Sequence, residues 1–285
     1  MKLFVTGAGG QLGHELIDAI RAAGHEAIAT THAQLDITDE EAVRVAISSA
    51  QPDVVIHAAA WTAVDACEGD VAKAMNVNGT ASQYVANAAH SIGARVVYIS
   101  TDYVFDGSKP TPYNEDDVPN PQSAYGASKL AGERAMSKDD AIVRISWVCG
   151  FHGANMVKTI LKLGATMPEL KFVNDQIGNP TFADDAAKAI VQIATSGLGG
   201  TWHVTNQGVV SWYEFAREVL LTAGMDVAKV KPISTSDLQP PRPAQRPANS
   251  VMHNGRMISE GFALLPDFRE PLARLVRRLL TETGE

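Results

Sequence analysis

Cysteine is scarce in this chain of 285 residues, and long apolar runs are absent. Cys67 and Cys149 are too few for a disulfide framework or a cysteine metal cluster, which favours small buried thiols in a reducing compartment. No apolar run approaches the roughly 18 residues that span a bilayer. Met1–Thr6 has the character of a strand and not of an export signal. We therefore expect a cytoplasmic protein with no membrane partner.

The chain also lacks an excess of positive charge. Its formal net charge is −8, whereas a nucleic-acid surface needs clustered Lys and Arg. We therefore expect no nucleic-acid partner, although an anionic ligand could still be held by a local basic or amide-lined pocket. Hydrophobic residues make up 45% and charged residues 20%, which is typical of a globular protein.

Short β-branched runs alternate with helical segments in the first half of the chain. This alternation predicts an α/β fold with a doubly wound parallel sheet and helices on both faces. A capping box of Thr38 and Glu41 is predicted ahead of one helix. The predicted strands are Leu3–Thr6, Glu26–Thr30, Asp53–His57, Arg95–Ser100 and Ala141–Trp147, and the predicted helices are Gln11–Ala23, Ala42–Ala50 and Ala72–Ala89.

The alternation loosens from about Gly150. We predict one domain over residues 1–150 and a smaller C-terminal lobe over residues 151–285, with some segments of the lobe returning to the first domain. In the lobe, Ser211 and Glu214 predict a second capping box, at the start of a helix that runs to Ala223. The proline-rich stretch Gln239–Pro247 predicts an ordered loop or a linker. A last amphipathic helix is predicted at Glu270–Thr281.

A glycine-rich turn follows the first strand and opens the first helix. Gly7 permits the tight turn, Gly10 lets the backbone approach a pyrophosphate, and Gly13 lets the helix pack closely on the strand. The helix N-terminus then faces the anion. The pattern predicts a Rossmann-type NAD(P)-binding domain, the alternative being a plain glycine turn. Its Gly-x-x-Gly-x-x-Gly spacing resembles that of extended short-chain dehydrogenases.

The end of the second strand bears on which nicotinamide cofactor is used. An acidic residue there would bind the ribose 2′-hydroxyl and exclude a 2′-phosphate. The chain has Thr30, Thr31 and His32 in this place, with neither an acid nor an Arg. We therefore predict NADPH, with NADH tolerated. Asp36 and Ile37 are predicted to cover the adenine, and Ala58, Ala59 and Ala60 to lie along the cofactor, unless they are only a helix-compatible alanine run.

A tyrosine and a lysine stand four residues apart and share one helix face. A tyrosine phenol has a pKa near 10, and a cationic Lys129 would lower the pKa of Tyr125 so that it can act as a general acid. Thr101, at the end of the fourth predicted strand, could hydrogen-bond the substrate oxygen and orient it toward Tyr125. These residues predict carbonyl reduction with Tyr125 as the proton donor.

Several longer runs now identify a family resemblance. The chain resembles the dTDP-4-dehydrorhamnose reductase family of the extended short-chain dehydrogenases, and the most specific run is Ser100-Thr101-Asp102-Tyr103-Val104-Phe105-Asp106-Gly107. Matches extend along nearly the whole chain. They include Ala58–Asp65, Tyr125–Glu133, Arg144–Val148, Asn174–Thr181 and Arg246–Ser250.

The resemblance implies reduction of dTDP-4-dehydro-6-deoxy-L-mannose at C4, giving dTDP-L-rhamnose for cell-surface polysaccharide. It implies Tyr125 as proton donor, Lys129 as cofactor anchor and Thr101 as partner of the substrate oxygen. It further implies that the residues lining the cofactor are Gln11, Leu12, Asp36, Ile37, Ala60 and Thr62, and that those contacting the sugar are Asp102, Tyr103 and Trp147.

Two side chains of the proposed substrate site have simpler explanations as well. Trp147 could stack on the hexose ring or could be a core indole. Arg246, in the proline-rich loop, could grip the nucleotide diphosphate bidentately or could be a solvated side chain.

The sequence departs from the family at two places. Some members dimerise through a magnesium site, but here only Glu15 and Asp184 stand near matching positions, so no metal is predicted. Trp61 stands where the family has a smaller polar residue, and it could reshape the nicotinamide edge or fill space. We expect a monomer or a homodimer.

Two other functions stay open on the sequence alone. One is another nucleotide-sugar reductase or an epimerase, which would keep its cofactor bound. The other is a non-catalytic regulatory subunit of the methionine adenosyltransferase type, which would not need to keep Thr101, Tyr125 and Lys129.

Overall fold

The computed structural model describes residues 1–282, so the last three residues of the predicted lobe lie outside the described part. Twelve strands and eleven α-helices make up the described chain. The strands are β1 Lys2–Thr6, β2 Glu26–Thr30, β3 Val54–His57, β4 Arg95–Thr101, β5 Ala141–Ile145, β6 Val148–Cys149, β7 Leu170–Val173, β8 Ile177–Gly178, β9 Thr181–Phe182, β10 Gly200–His203, β11 Val210–Ser211 and β12 Val230–Ile233. The α-helices are α1 Gln11–Ala22, α2 Glu40–Ala50, α3 Val64–Gly69, α4 Val71–Ala74, α5 Ala81–Ser91, α6 Ala124–Glu133, α7 Met156–Thr166, α8 Ala183–Ser196, α9 Trp212–Thr222, α10 Gly255–Ser259 and α11 Arg269–Glu282.

A six-stranded parallel sheet forms the centre of the fold, with the strand order β10-β5-β4-β3-β1-β2. One face packs on α1 and α8 through the cluster that contains Leu16 and Ile190. The other face packs on α2 and α5 through the cluster that contains Val43 and Val85. Both faces are buried, which explains why the strands are nearly continuous apolar runs. The predicted doubly wound parallel sheet is confirmed.

The second half of the chain builds a separate apolar cluster and also contributes to the sheet. Phe215 on α9 and Val157 on α7 are fully buried in this cluster. The chain then supplies the edge strand β10, which pairs with β5, and α8, which packs on α1. None of the helices within residues 1–282 is both long and apolar enough to cross a membrane.

Local predictions in the lobe and at the chain's end agree with the structure. The capping box of Ser211 and Glu214 at the start of α9 is confirmed, with both reciprocal hydrogen bonds formed. Gln239–Pro247 is a loop. The last helix is present, one residue longer than predicted at either end.

Three local predictions are wrong. The cap of α2 is Asp39, whose carboxylate accepts from the Ala42 N–H, while Glu41 pairs with Arg44 instead of closing a box with Thr38. The strand predicted to run to Trp147 ends at Ile145, because Trp147 has a left-handed backbone with φ of 47°.

The third correction concerns the predicted helix Ala72–Ala89. Its segment Met75–Thr80 is a π-helical turn between α4 and α5. Alanine-rich spacing indicates a helix but carries no signal for such a turn, which is frequently found at functional sites.

Candidate active site

A cleft of about 480 Å³ opens at the carboxyl edge of the central sheet. The glycine turn after β1 and the ends of β3, β4 and β5 form its floor, and α6 and the Gly153 segment form its walls. The lining residues are Gly7, Gly10, Gln11, Leu12, Gly13, Ala58, Ala60, Thr62, Val64, Ile99, Ser100, Thr101, Asp102, Tyr103, Tyr125, Lys129, Ile145, Trp147, Val148, Gly153 and Ala154. Ligands of open α/β sheets bind at this edge.

The glycine turn has the shape that a pyrophosphate-binding turn requires. Gly7 has φ of 70°, and a β-carbon there would lie 2.7 Å from the Cα of Ala59. A β-carbon at Gly13 would collide with the carbonyl oxygen of Gly7. Within residues 1–282 no side chain caps α1, and the first residues of this helix line the cleft. These residues fit a dinucleotide, and larger side chains would fill the space.

Tyr125 and Lys129 lie on α6 and both reach the cleft from buried positions. The ring of Tyr125 makes an edge contact with Tyr103, at 5.5 Å between centroids. Lys129 is 2% exposed, and its Nζ lies 4.1 Å from the centroid of the Tyr98 ring. Burial lowers the pKa of Lys129 to about 7, which the carboxylate of Glu133 partly counteracts.

The pKa of Tyr125 differs from the sequence-based expectation. Burial raises it above its ordinary value, the nearby Asp102 charge raises it further, and a hydrogen bond with Thr101 acts in the opposite direction. The expected lowering of this pKa is therefore wrong for this structure, because desolvation of the phenolate and the Asp102 charge dominate. Tyr125 is a neutral phenol at neutral pH.

Thr101 and Asp102 form a buried polar pair at the end of β4. The Thr101 hydroxyl donates to Oδ1 of Asp102 at 3.0 Å and accepts from the Tyr103 N–H at 3.2 Å. Oδ2 of Asp102 is buried and has no hydrogen-bond partner among residues 1–282. Burial raises the pKa of Asp102 to about 6. Both residues line the cleft, and the hydrogen bond between them fixes the orientation of the Thr101 hydroxyl.

Trp147 lines the same cleft. Its indole stacks on that of Trp212, with 3.6 Å between ring centroids and 8° between ring planes. The side chain is half-buried. Trp147 thus packs on the second apolar cluster and also lines the cleft, and its stacking on the hexose stays a prediction.

Five sequence-predicted residues do not line the cleft. Thr30 donates its hydroxyl to the Val5 carbonyl, and Ala59 packs beside the Gly7 turn. Asp36 is exposed and accepts from Thr38, while Ile37 is buried in the core under α2. The fifth residue, Arg246, lies in the proline-rich loop and is bound to α3.

Arg246 is held there by a carboxylate. Its Nη1 and Nη2 donate to the two oxygens of Asp65 at 2.9 and 2.8 Å. Arg242 approaches the same carboxylate at 3.4 Å. These contacts lower the pKa of Asp65 to about 2. The proline-rich loop is thereby tied to α3, and the guanidinium of Arg246 pairs with Asp65 outside the cleft.

Sequence reasoning missed one group of contributors, which become part of the site only through tertiary structure. Asn78 is buried on the π-helical turn and bonds both the N–H and the carbonyl of Trp61. Gly153 and Ala154 reach the cleft from the second half of the chain. Ser100, Ile99 and Ile145 could have been found, because they stand at predicted strand ends.

The two acidic residues considered for a metal take part in other contacts. Asp184 pairs with Arg274 at 2.7 Å, and burial together with the Asp184 charge raises the pKa of Glu15. Within residues 1–282 no group of three or more His, Cys, Asp or Glu side chains is placed to hold a metal ion.

A known protein family matches this chain. The family model described as the RmlD substrate binding domain matches residues 1–281. The chain belongs to the RmlD family. The expected resemblance to dTDP-4-dehydrorhamnose reductases is confirmed.

Relatives of the RmlD family match over nearly their whole length. The spore coat polysaccharide biosynthesis protein SpsK of Bacillus subtilis is 43% identical over 274 residues, which cover 95% of each chain. A dTDP-4-dehydrorhamnose reductase of Burkholderia thailandensis is 39% identical and covers 99% of this chain and 100% of its own. The crystal structure of the Bacillus anthracis dTDP-4-dehydrorhamnose reductase in complex with NADP is 37% identical, covers 98% of this chain and 100% of that one, and has a TM-score of 0.93.

Proposed function

We propose that this chain reduces the C4 ketone of dTDP-4-dehydro-6-deoxy-L-mannose with NADPH and forms dTDP-L-rhamnose. The observation that carries the proposal is the convergence of Thr101, Tyr125 and Lys129 on the cleft that the glycine turn borders. The names of its RmlD-family relatives and the NADP complex of a related reductase support the substrate and the cofactor.

In this reaction NADPH supplies the hydride that the carbonyl carbon accepts. Tyr125 donates its phenolic proton to the carbonyl oxygen, which becomes the C4 hydroxyl. Tyr125 is protonated at neutral pH, as a proton donor must be, although a raised pKa makes its phenol a weaker acid. Thr101 orients that oxygen, and Lys129 is the one basic side chain that lines the cleft within residues 1–282.

The cofactor side of the cleft is the glycine turn and the residues after β3. We assign pyrophosphate binding to Gly7, Gly10 and Gly13 with the first turn of α1, supported by the space that a β-carbon would fill. Gln11, Leu12, Ala58, Ala60 and Thr62 line the same side. Thr30, Asp36, Ile37 and Ala59 stay predictions from the sequence, since none of them lines the cleft. Tolerance of NADH also stays a prediction.

The sugar side is assigned to the opposite end of the cleft. Asp102, Tyr103 and Trp147 are proposed to contact the hexose, supported by their positions around Tyr125. Binding of the diphosphate by Arg246 stays a prediction from the sequence, since in this structure Arg246 pairs with Asp65 and ties the proline-rich loop to α3.

The proposal also covers the roles of the two parts of the chain, the location of the protein and its assembly. We assign residues 1–150 to cofactor binding and most of residues 151–285 to the substrate, with α8 and β10 packed on the first part. Dependence on NADPH and a nucleotide sugar supports a cytoplasmic location. We expect a monomer or homodimer without a required metal.

The decisive experiment is an NADPH-oxidation assay with a panel of dTDP-4-keto-6-deoxy sugars, run in parallel with NADH. We expect turnover with the L-lyxo sugar and not with its D-xylo epimer. Isolation of the protein with tightly bound NAD, combined with no net NADPH oxidation, would instead indicate an epimerase. A protein that binds NADPH but turns over no sugar of the panel would indicate a regulatory subunit.

A further inference from the structure

Trp147 has a backbone conformation that a bulky residue rarely adopts. Among residues 1–282, Gln51 and Trp147 are the non-glycine residues with positive φ, at 45° and 47°. Gln51 ends α2 at the surface, whereas Trp147 lines the cleft. Such a conformation costs roughly 1–3 kcal/mol and persists only where the surroundings fix it. The contacts that fix Trp147 therefore define how its indole is presented.

Trp212 supports one face of that indole. The two rings are stacked and nearly parallel, and Phe215 meets the Trp147 ring edge-on at 6.4 Å. Trp212 is the first residue of α9 and lies between Ser211 and Glu214, which form the capping box. Because the cap fixes the first turn of α9, it also fixes the position of the Trp212 ring.

Gly178 leaves room for the edge of the Trp147 indole. A β-carbon at Gly178 would lie 2.8 Å from Cε2 and 2.9 Å from Nε1 of the indole, and 2.7 Å from Oγ of Ser250. Gly178 belongs to β8, which pairs with β11, and β11 leads directly into Trp212. The paired strands β8 and β11 therefore position both residues: Gly178 lies in β8 and leaves room for the indole edge, and Trp212 directly follows β11 and stacks on the indole.

We propose that Trp212 and Gly178 are specificity-determining positioning residues, which hold the indole of Trp147 as a flat apolar platform for the hexose ring. With one face on Trp212 and an edge at Gly178, the indole presents its other face to the cleft. A 6-deoxyhexose matches such a surface, because its ring C–H groups and C6 methyl are apolar. The inference rests on the proposed function, in which Trp147 contacts the sugar.

The first test measures sugar binding separately from nucleotide binding. Trp212→Ala and Trp212→Phe are titrated by calorimetry with dTDP-L-rhamnose, with dTDP and with NADPH. We expect about tenfold weaker binding of dTDP-L-rhamnose to the alanine variant and a smaller loss for the phenylalanine variant. Affinities for dTDP and NADPH should not change. The KM for the keto sugar should rise more than kcat falls.

The matched control for this test is Tyr213→Ala, on the next residue of α9. Tyr213 is also an aromatic residue at the edge of the second apolar cluster, but its hydroxyl contacts Arg217 instead of the cleft. Its loss should leave the affinity for dTDP-L-rhamnose unchanged. An equal loss in both alanine variants would overturn the positioning role, because it would show general loosening of α9.

Gly178→Ala tests the platform without changing an aromatic residue. The added methyl group pushes on the indole edge, so we expect the same selective loss of dTDP-L-rhamnose binding. Gly69→Ala is the control, since a β-carbon there meets nothing within 4 Å and its φ is not positive. If Trp212→Ala does not fold, Trp212→Phe and Gly178→Ala still decide the question.

Trp147→Ala separates failure of this inference from failure of the proposed function. If it weakens dTDP-L-rhamnose binding while the Trp212 and Gly178 variants bind normally, the positioning role is wrong and the sugar contact stands. If Trp147→Ala also binds dTDP-L-rhamnose normally, the sugar contact itself is wrong and the inference falls with it.

Discussion

Tyr125 and Lys129 stand one helical turn apart on α6, and burial favours the neutral form of both side chains. For Tyr125 the neutral form carries the proton that reduction of a ketone consumes. For Lys129, with a pKa of about 7, the charged and neutral forms are both populated near neutral pH. The charge of this lysine therefore responds to whatever anion enters the cleft.

Replacing Tyr125 by Phe removes the proton donor and keeps the ring. We expect reductase turnover to fall by about 10²- to 10⁴-fold, while the Kd of NADPH stays within about twofold, since the phenyl ring preserves the packing against Tyr103. Steady-state assays and fluorescence titration with NADPH measure the two effects. Wild-type turnover in the variant would show that another group supplies the proton.

The charge of Lys129 makes NADPH binding depend on pH. An anionic nucleotide raises the pKa of the lysine it binds, so wild-type affinity should fall as the pH rises above about 7. Lys129→Met should bind NADPH about tenfold more weakly at pH 6 and lose this pH dependence. Titrations at pH 6, 7, 8 and 9 measure it. The same pH dependence in the variant would exclude Lys129 as its source.

At the residue scale, side chains at strand ends and on a regular helix could be predicted from the sequence. Thr101, Tyr125 and Lys129 follow from spacing, because the period of a strand or helix fixes where each points. The pairing of Arg246 with Asp65 could not be predicted, since it joins residues 181 positions apart. The raised pKa of Tyr125 comes first from its own burial and then from the Asp102 charge, and spacing reveals neither.

Among the elements, the π-helical turn Met75–Thr80 has the most direct connection to the site. Its buried Asn78 accepts from the Trp61 N–H at 2.8 Å and donates to the Trp61 carbonyl and to Oγ of Ser128, each at 3.0 Å. It thus joins the cleft-lining segment after β3 to α6, which carries Tyr125 and Lys129. Helical periodicity predicted a helix here. The extra residue of a π-helical turn changes the spacing of apolar residues too little to be recognised in the sequence.

Loss of the Asn78 amide should therefore affect both stability and cofactor binding. Asn78→Ala leaves buried groups of Trp61 and Ser128 without their partner, and we expect a loss of roughly 1–3 kcal/mol in the free energy of unfolding. NADPH binding should weaken as well, because Ala60 and Thr62 lie on the released segment. Urea unfolding and NADPH titration measure the two effects.

Asn76→Ala is the control for this prediction, because Asn76 is exposed on the same π-helical turn. It should change neither quantity. If Asn78→Ala lowered stability but left the NADPH affinity intact, the turn would support the fold without positioning the cofactor segment.

At the scale of the whole molecule, β10 connects the second half of the chain to the central sheet. Its His203 pairs in register with Arg144, which forms a buried ion pair with Glu133. Burial and the Arg144 charge lower the pKa of His203 to about 3. The return of the chain to the sheet was expected in outline. The strand that makes this return, β10, and its buried His203 were not predicted, because one short strand has no distinctive periodicity.

Buried histidines make the stability of the fold sensitive to acid. Between the unfolded value of about 6.5 and about 3, the unfolded chain binds a proton at His203 that the folded state does not. Stability from this group is therefore fully present above pH 6.5 and is lost as the pH falls, at up to about 1.4 kcal/mol per pH unit. His57, with its pKa also lowered to about 3, adds the same dependence. Asp102 has the opposite effect. Its pKa is raised in the folded state, so between about pH 6 and 4 the folded state binds a proton that the unfolded chain does not, and this group adds stability as the pH falls.

Substituting His203 isolates its share of this acid sensitivity. His203→Gln is neutral at every pH, so its free energy of unfolding should fall less steeply than that of the wild type between pH 6.5 and 4.5, by up to about 1.4 kcal/mol per pH unit. Urea unfolding at pH 7.5, 6.5, 5.5 and 4.5 measures both slopes. His32→Gln, at an exposed position after β2, controls for the loss of one histidine. Equal slopes in wild type and His203→Gln would mean that β10 detaches, or admits water to His203, before the molecule unfolds.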